Sequence, residues 1–166
     1  TDEFYGYLAN ELDFTQCRGL VLDLVDFVQS HGPFHGVMGF SEGGIVAAML
    51  LIEDSRHVFA DFQCGIFFSS ALPLDMDVLH TTGLLQCVDP AMTIDGSGLL
   101  KLPTAHILES NNWIKDPGKS LLQLCDEKLR EVYLHELGHQ IPDATSGDVL
   151  LKTLRAIERT IERAKR

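Results

Sequence analysis

The segment Gly39-Phe40-Ser41-Glu42-Gly43-Gly44 constrains this chain more than any other. It matches G-x-S-x-G, a pattern in which a strand reverses into a helix within about one residue. Such a reversal forces the central serine into strained backbone geometry. Gly39 and Gly43 flank it because a Cβ at either place would strike the neighbouring turn. The surroundings are those the pattern requires. Phe34-His35-Gly36-Val37-Met38-Gly39-Phe40 reads as a short strand, and Glu42 to Ile52 is nearly all apolar, as in a helix buried against a sheet. Ser41 Oγ then stands clear of the sheet at a helix N-terminus, and the Glu42 backbone N–H points at the space where an oxyanion would form. Without those flanks the glycines would read as a turn that merely lets strand and helix pack closely.

The rest of the chain repeats the alternation. A helical pattern runs from Thr15 to Ser30 with Leu20, Leu22, Leu24, Val25 and Val28 apolar, and Gly32-Pro33 stops it. Further strands are predicted at Cys64–Phe68, Leu102–Leu108 and Glu131–Leu134. A helix is predicted around Lys119–Lys128, and an amphipathic helix over Val149–Arg163 closes the chain. Strands alternating with helices predict an α/β fold: a parallel sheet with right-handed crossovers, flanked by helices. The 166 residues suffice for a single domain over 1–166 with a real core. Residues 71–101 break the pattern and read as a lid or pocket insertion. Leu79, Leu84, Leu85 and Met92 in it are read either as lining of an acyl pocket or as core.

The net charge of −11 disfavours nucleic acid and anionic membrane surfaces, which offer an acidic protein no counter-charge. No apolar run is long enough to span a bilayer. Cys17, Cys64, Cys87 and Cys125 are far apart and without CxxC pairs, so they read as buried free thiols in a reducing, cytoplasmic setting. No signal peptide is visible, but the chain opens on a loop-like TDEFYGYLANELDF without an initiator Met, which points to a region upstream.

A serine hydroxyl needs a base to take its proton. In the order Ser, acid, His, the base falls on a loop after the last strand, where Leu137-Gly138-His139-Gln140-Ile141-Pro142 stands, and His139 is the candidate. The same stretch carries a rival, the zinc motif H-E-x-x-H formed by His135, Glu136 and His139, with Glu158 as a third ligand for a metallopeptidase. Pro142 and Gly138 oppose the helix that motif needs, and the preceding EVYL favours a strand. His135 then reads as a strand-end residue without chemical role, and His106, inside a predicted strand, as a satisfied core histidine. The acid should follow the strand ending at Leu108. Asp116 is the nearest downstream aspartate, although Asp before Pro also reads as a helix N-cap. Asn112 would orient the imidazole without supplying charge.

Taken together, Phe4-Tyr5-Gly6-Tyr7, the run Gly32 to Gly43, Phe67-Phe68-Ser69-Ser70, Leu102 to Leu108 and Gly138-His139-Gln140-Ile141-Pro142 resemble the fungal serine hydrolase family. That family is related to the human ovarian-cancer-associated hydrolase and includes esterases and thioesterases that act beside fungal polyketide synthases. The resemblance covers almost the whole chain. It implies an α/β-hydrolase-type fold, no metal and no cofactor, and an ester or acyl-thioester substrate, with a polyketide synthase acyl carrier as partner in secondary metabolism. Ser41 matches the family nucleophile and His139 its base. The family aspartate falls on Asn112, and a glycine usual earlier in that turn falls on Glu109. The family also begins with a strand and a loop that supply the second oxyanion donor and central strands, and this chain starts after them. The elbow strand is therefore expected at an exposed sheet edge, covered by an upstream segment or by another chain in an oligomer. A non-catalytic relative that binds a ligand without turning it over is the remaining alternative.

Overall fold

The computed structural model describes residues 14–92, 98–111 and 121–166. Among these, α1 spans Phe14–His31, β1 Gly36–Phe40, α2 Glu42–Arg56, β2 Cys64–Phe68, α3 Met76–Thr82, β3 Thr104–Glu109, β4 Arg130–His135 and α4 Asp148–Ala164. The four strands are parallel and lie in chain order, β1-β2-β3-β4. Helices flank the sheet, giving the α/β class that the alternation predicts.

Burial on two faces explains why the inner strands read as unbroken apolar runs. All five residues of β2 are buried, as are the first five of β3. Phe67 packs with Ala47, Ala48 and Leu51 of α2. Ile66, Phe68 and Ile107 pack with Ile157 of α4, which places the two helices on opposite faces. A second cluster joins Cys17 and Val21 of α1 to Met49 of α2 and to Met76 and Leu79 of α3. Among the described residues no helix is long and apolar enough to cross a membrane.

β1 pairs only with β2 among the described residues, so the elbow strand lies at the edge of the described sheet. Met38 on it is 67% exposed. A groove of about 530 Å³ runs beside it, lined by Phe27, Val28, Phe34, Val37 and Leu50 among others.

Three expectations change. The helix around Lys119–Lys128 is instead a short 3-10 turn, Leu121–Leu124, within the described residues. Leu121, Leu122 and Leu124 are buried, and the chain then leaves the turn as Cys125 bridges to Leu100 in extended form, which ends any helix there. Of the four cysteines, Cys87 is exposed rather than buried. It sits opposite Leu74 in an isolated bridge within the 71–101 stretch. In that stretch Leu79 belongs to the core, Leu84 and Leu85 are exposed, and Met92 ends the 3-10 turn Pro90–Met92.

His106 sits wholly inside the sheet, with Nε2 3.0 Å from Thr104 Oγ1 and its ring stacked on Phe67. Burial, assisted by the Arg130 charge, pushes its pKa down to about 3, so the ring stays neutral. That is the satisfied core histidine the sequence suggests.

Asp54, buried near the end of α2, organises the turn into β2. Its carboxylate accepts the backbone N–H groups of Phe59, Ala60, Asp61 and Phe62 at 2.8–3.3 Å. Burial alone would raise its pKa, but the four donors together hold it below the ordinary value of 3.8. Replacing it with asparagine turns one acceptor oxygen into a donor facing these N–H groups. Asp54→Asn is expected to destabilise by about 2 kcal/mol in urea denaturation at pH 7. Because the folded pKa is depressed, this stabilisation is present above pH 3.8 and lost as pH falls through the lower folded value. The gap between variant and wild type should therefore close in acid, and a constant gap would show that charge is not its source.

Candidate active site

The elbow takes the geometry its sequence demands. Ser41 joins β1 to α2 with φ 54° and ψ −118°, a conformation L-residues rarely hold. Its backbone is tied on both sides. Ser41 N–H donates to Phe68 O at 2.9 Å, and Ser41 O accepts from Gly44 N–H at 3.0 Å and Ile45 N–H at 3.2 Å. The side chain takes no part in capping α2, which leaves Oγ available. A Cβ on Gly39 would lie 2.5 Å from Gly44 Cα, as the pattern predicts. The structure adds Gly44, where a Cβ would fall on Ser70 Oγ. The doubled glycine after the serine was the sequence signal for it. Glu42 is the first residue of α2, so its N–H is one of the helix N-terminal donors without an intrahelical acceptor.

His139 reaches this serine from 98 positions downstream, with Nε2 3.0 Å from Ser41 Oγ. Its ring rests against Phe40, centroids 4.9 Å apart. With the imidazole proton on Nδ1, the Ser41 hydroxyl donates to Nε2, which is the arrangement for proton removal.

The zinc alternative required a helix through His135, Glu136 and His139. The structure has none there: His135 ends β4, the chain bends at Glu136 and Leu137, and Gly138 takes φ 82°. The two histidines therefore share no helix face. His135 is buried and its Nδ1 accepts from Leu137 N–H at 3.3 Å. Burial lowers its pKa, with the Glu109 charge acting in the opposite direction.

Asn112 and Asp116, the two candidates for the third member, lie outside the described residues. What is described is the approach to them. β3 ends at Glu109, in register with His135 at the end of β4, and the chain turns helical at Ser110 and Asn111. Among the described residues no hydrogen bond to His139 Nδ1 accompanies the one at Nε2.

Ser69, which follows β2 at the C-terminal end of the strands, was not singled out from the sequence. It has φ 47°, and its buried Oγ lacks a partner among the described residues. Two serines directly after a fully buried apolar strand were the available signal. Burial pushes the Cys125 thiol up to about 12 and raises that of Cys64, so neither competes with Ser41 as a nucleophile near neutral pH.

Comparison with known proteins shows the family of this chain. A family model described as serine hydrolase (FSH1) matches residues 3–148. Esterase FPY3 of Fusarium mangiferae is 30% identical over 142 residues, covering 86% of this chain and 63% of its own. Esterase FUS5 of Gibberella fujikuroi is 30% identical over 142 residues, covering 84% and 52%. Esterase OVCA2 of Bos taurus is 33% identical over 138 residues, covering 78% and 54%. The chain thus spans between about half and two thirds of the length of these relatives. Among solved structures, a Bacillus cereus carboxylesterase aligns with a TM-score of 0.48 at 16% identity, over 94% of this chain and 68% of that one.

Proposed function

The chain belongs to the serine hydrolase (FSH1) family, and from that premise we propose that it cleaves an ester or thioester through an acyl-enzyme at Ser41. The observation that carries this reading is the 3.0 Å contact between His139 Nε2 and Ser41 Oγ on a strained elbow.

Ser41 Oγ attacks the substrate carbonyl while His139 Nε2 takes its proton. The Glu42 N–H, reinforced by the N-terminus of α2, stabilises the oxyanion that forms. Collapse expels the alcohol or thiol, which receives the proton from His139. Water, deprotonated in turn by His139, then releases the acid and regenerates the serine. Asp116 or Asn112 orients the imidazole through Nδ1. A small ester or a polyketide acyl-thioester is the substrate class that follows from the resemblance, with an acyl carrier as donor in the second case. Residues 71–101 act as a lid or pocket wall in this reading. The edge of β1 that is unpaired among the described residues is covered, in this reading, by a segment outside them or by a second chain. The buried free thiols support a cytoplasmic setting.

The test is incubation with a fluorophosphonate probe, with and without a chelator, followed by peptide mass spectrometry. The expected result is a Ser41 adduct that the chelator does not affect and that His139→Ala removes. Asn112 at the family's aspartate position favours one other reading, a relative that binds without turnover. A folded but unlabelled protein would establish that reading and reject the hydrolase.

A further inference from the structure

His135 ends β4 four residues before His139 and is only 4% exposed. Its Nδ1 accepts the Leu137 N–H, so a side chain bonds the backbone two residues on, as Asx side chains do when they shape a turn. That bond sets the direction in which the chain leaves the sheet. Gly138 follows at φ 82°, then His139 itself.

Backbone hydrogen bonds are few in this stretch among the described residues. Between the last ladder pair, Glu109 with His135, and the 3-10 turn Ala144–Ser146, the backbone bond among the described residues is Gln140 N–H to Gly138 O at 2.9 Å. His139 is exposed, yet its Nε2 must lie within hydrogen-bond reach of a serine on another element.

The same bond dictates the tautomer. With Nδ1 accepting, the neutral ring carries its proton on Nε2. That nitrogen is buried without a hydrogen-bond partner among the described residues. Among the described residues the hydrogen bond of this ring is therefore the one at Nδ1, and it acts on the backbone of the turn that leads to His139.

We propose that His135 is a positioning residue: its Nδ1 caps the turn 135–139 and so holds His139 Nε2 at Ser41 Oγ. This rests on the reading of Ser41 and His139 as nucleophile and base. The depressed pKa of His135 fits the role, because protonation would turn the acceptor into a donor and break the cap.

Three substitutions separate the two ring nitrogens. His135→Asn puts Oδ1 near the place of Nδ1 and keeps the acceptor. His135→Gln reaches toward Nε2 and leaves Leu137 N–H unmatched. His135→Leu fills the space and supplies no acceptor. The readouts are the rate of fluorophosphonate labelling at Ser41, kcat and KM on a p-nitrophenyl ester, and a thermal melt of each variant.

His135→Leu and His135→Gln are expected to lower kcat and the labelling rate on the order of 10- to 100-fold, as for a ~1 Å misplacement of a catalytic group, with KM nearly unchanged. His135→Asn is expected to stay within about threefold of wild type, since it retains the cap. If Leu does not fold, the comparison of Gln with Asn decides. A folded Asn variant as slow as Gln, or a Leu or Gln variant as fast as wild type, overturns the proposal and leaves the Ser41–His139 reading intact. An unlabelled wild type rejects both.

Discussion

Substituting glycine for Ser41 is expected to lower ester hydrolysis on the order of 10⁴-fold or more, and to give a protein more stable than the Ser41→Ala variant by about 1 kcal/mol. The first effect follows from removing the only atom that His139 Nε2 is placed to deprotonate among the described residues. The second follows from the backbone. At φ 54° and ψ −118° any Cβ is strained, and alanine retains the strain of serine while glycine releases it. Glycine also gives the unfolded chain more freedom, which offsets part of the gain. Initial rates on a p-nitrophenyl ester and urea midpoints of the three proteins test both effects. Equal midpoints for alanine and glycine would mean that the elbow stores no strain, and residual turnover in either would remove Ser41 from the mechanism.

Gly44→Ala should be strongly damaging to the scaffold. By helix propensity alone, alanine near the start of α2 would gain about 1 kcal/mol. The surroundings reverse that sign. The new Cβ would fall on Ser70 Oγ and 2.6 Å from Ser70 Cβ, and Ser70 is itself buried, its hydroxyl donating to Phe68 O at 3.3 Å. Gly44 N–H is bound to Ser41 O, so a shift at Gly44 drags the nucleophile with it. The expected loss is about 3 kcal/mol or more, at the upper end of overpacking costs. Activity should fall on the order of 10²-fold in the fraction that folds. Adding Ser70→Gly removes the obstruction and should recover most of the stability, which a double-mutant cycle in denaturant measures. Independent, additive effects of the two substitutions would contradict the contact.

The parts of this molecule that were legible in its sequence are those specified locally. Cys64–Phe68 stood out because a strand buried on both faces has no polar side to show. The elbow was legible because a backbone reversal leaves its glycines within a few residues of the serine. His139 was legible as a candidate base by its place in the chain order, and its approach to Ser41 was legible with it, because Gly138 and Pro142 counted against a metal-binding helix.

What was hidden depends on pieces arriving from elsewhere. Leu121–Leu124 resembles a helix until the bridge between Cys125 and Leu100 ends it as a 3-10 turn packed into the core. The need for glycine at 44 exists only once Ser70 is beneath it. Asp54 looked like an ordinary polar helix residue, and its role emerges from four N–H groups that fold back onto it. His135 first read as inert because its bond to Leu137 belongs to the folded turn and leaves no mark in the sequence.

The 98 residues between Ser41 and His139 also matter for a chain still being made. The elbow and α2 are complete by Arg56, long before β4 has been synthesised. Until residue 139 has emerged and β4 has paired with β3, a nascent chain carries the serine without its base. Under the acyl-enzyme mechanism proposed above, an unfinished or prematurely terminated product would be silent toward esters and thioesters, and the reaction would be armed only once β4 has paired with β3.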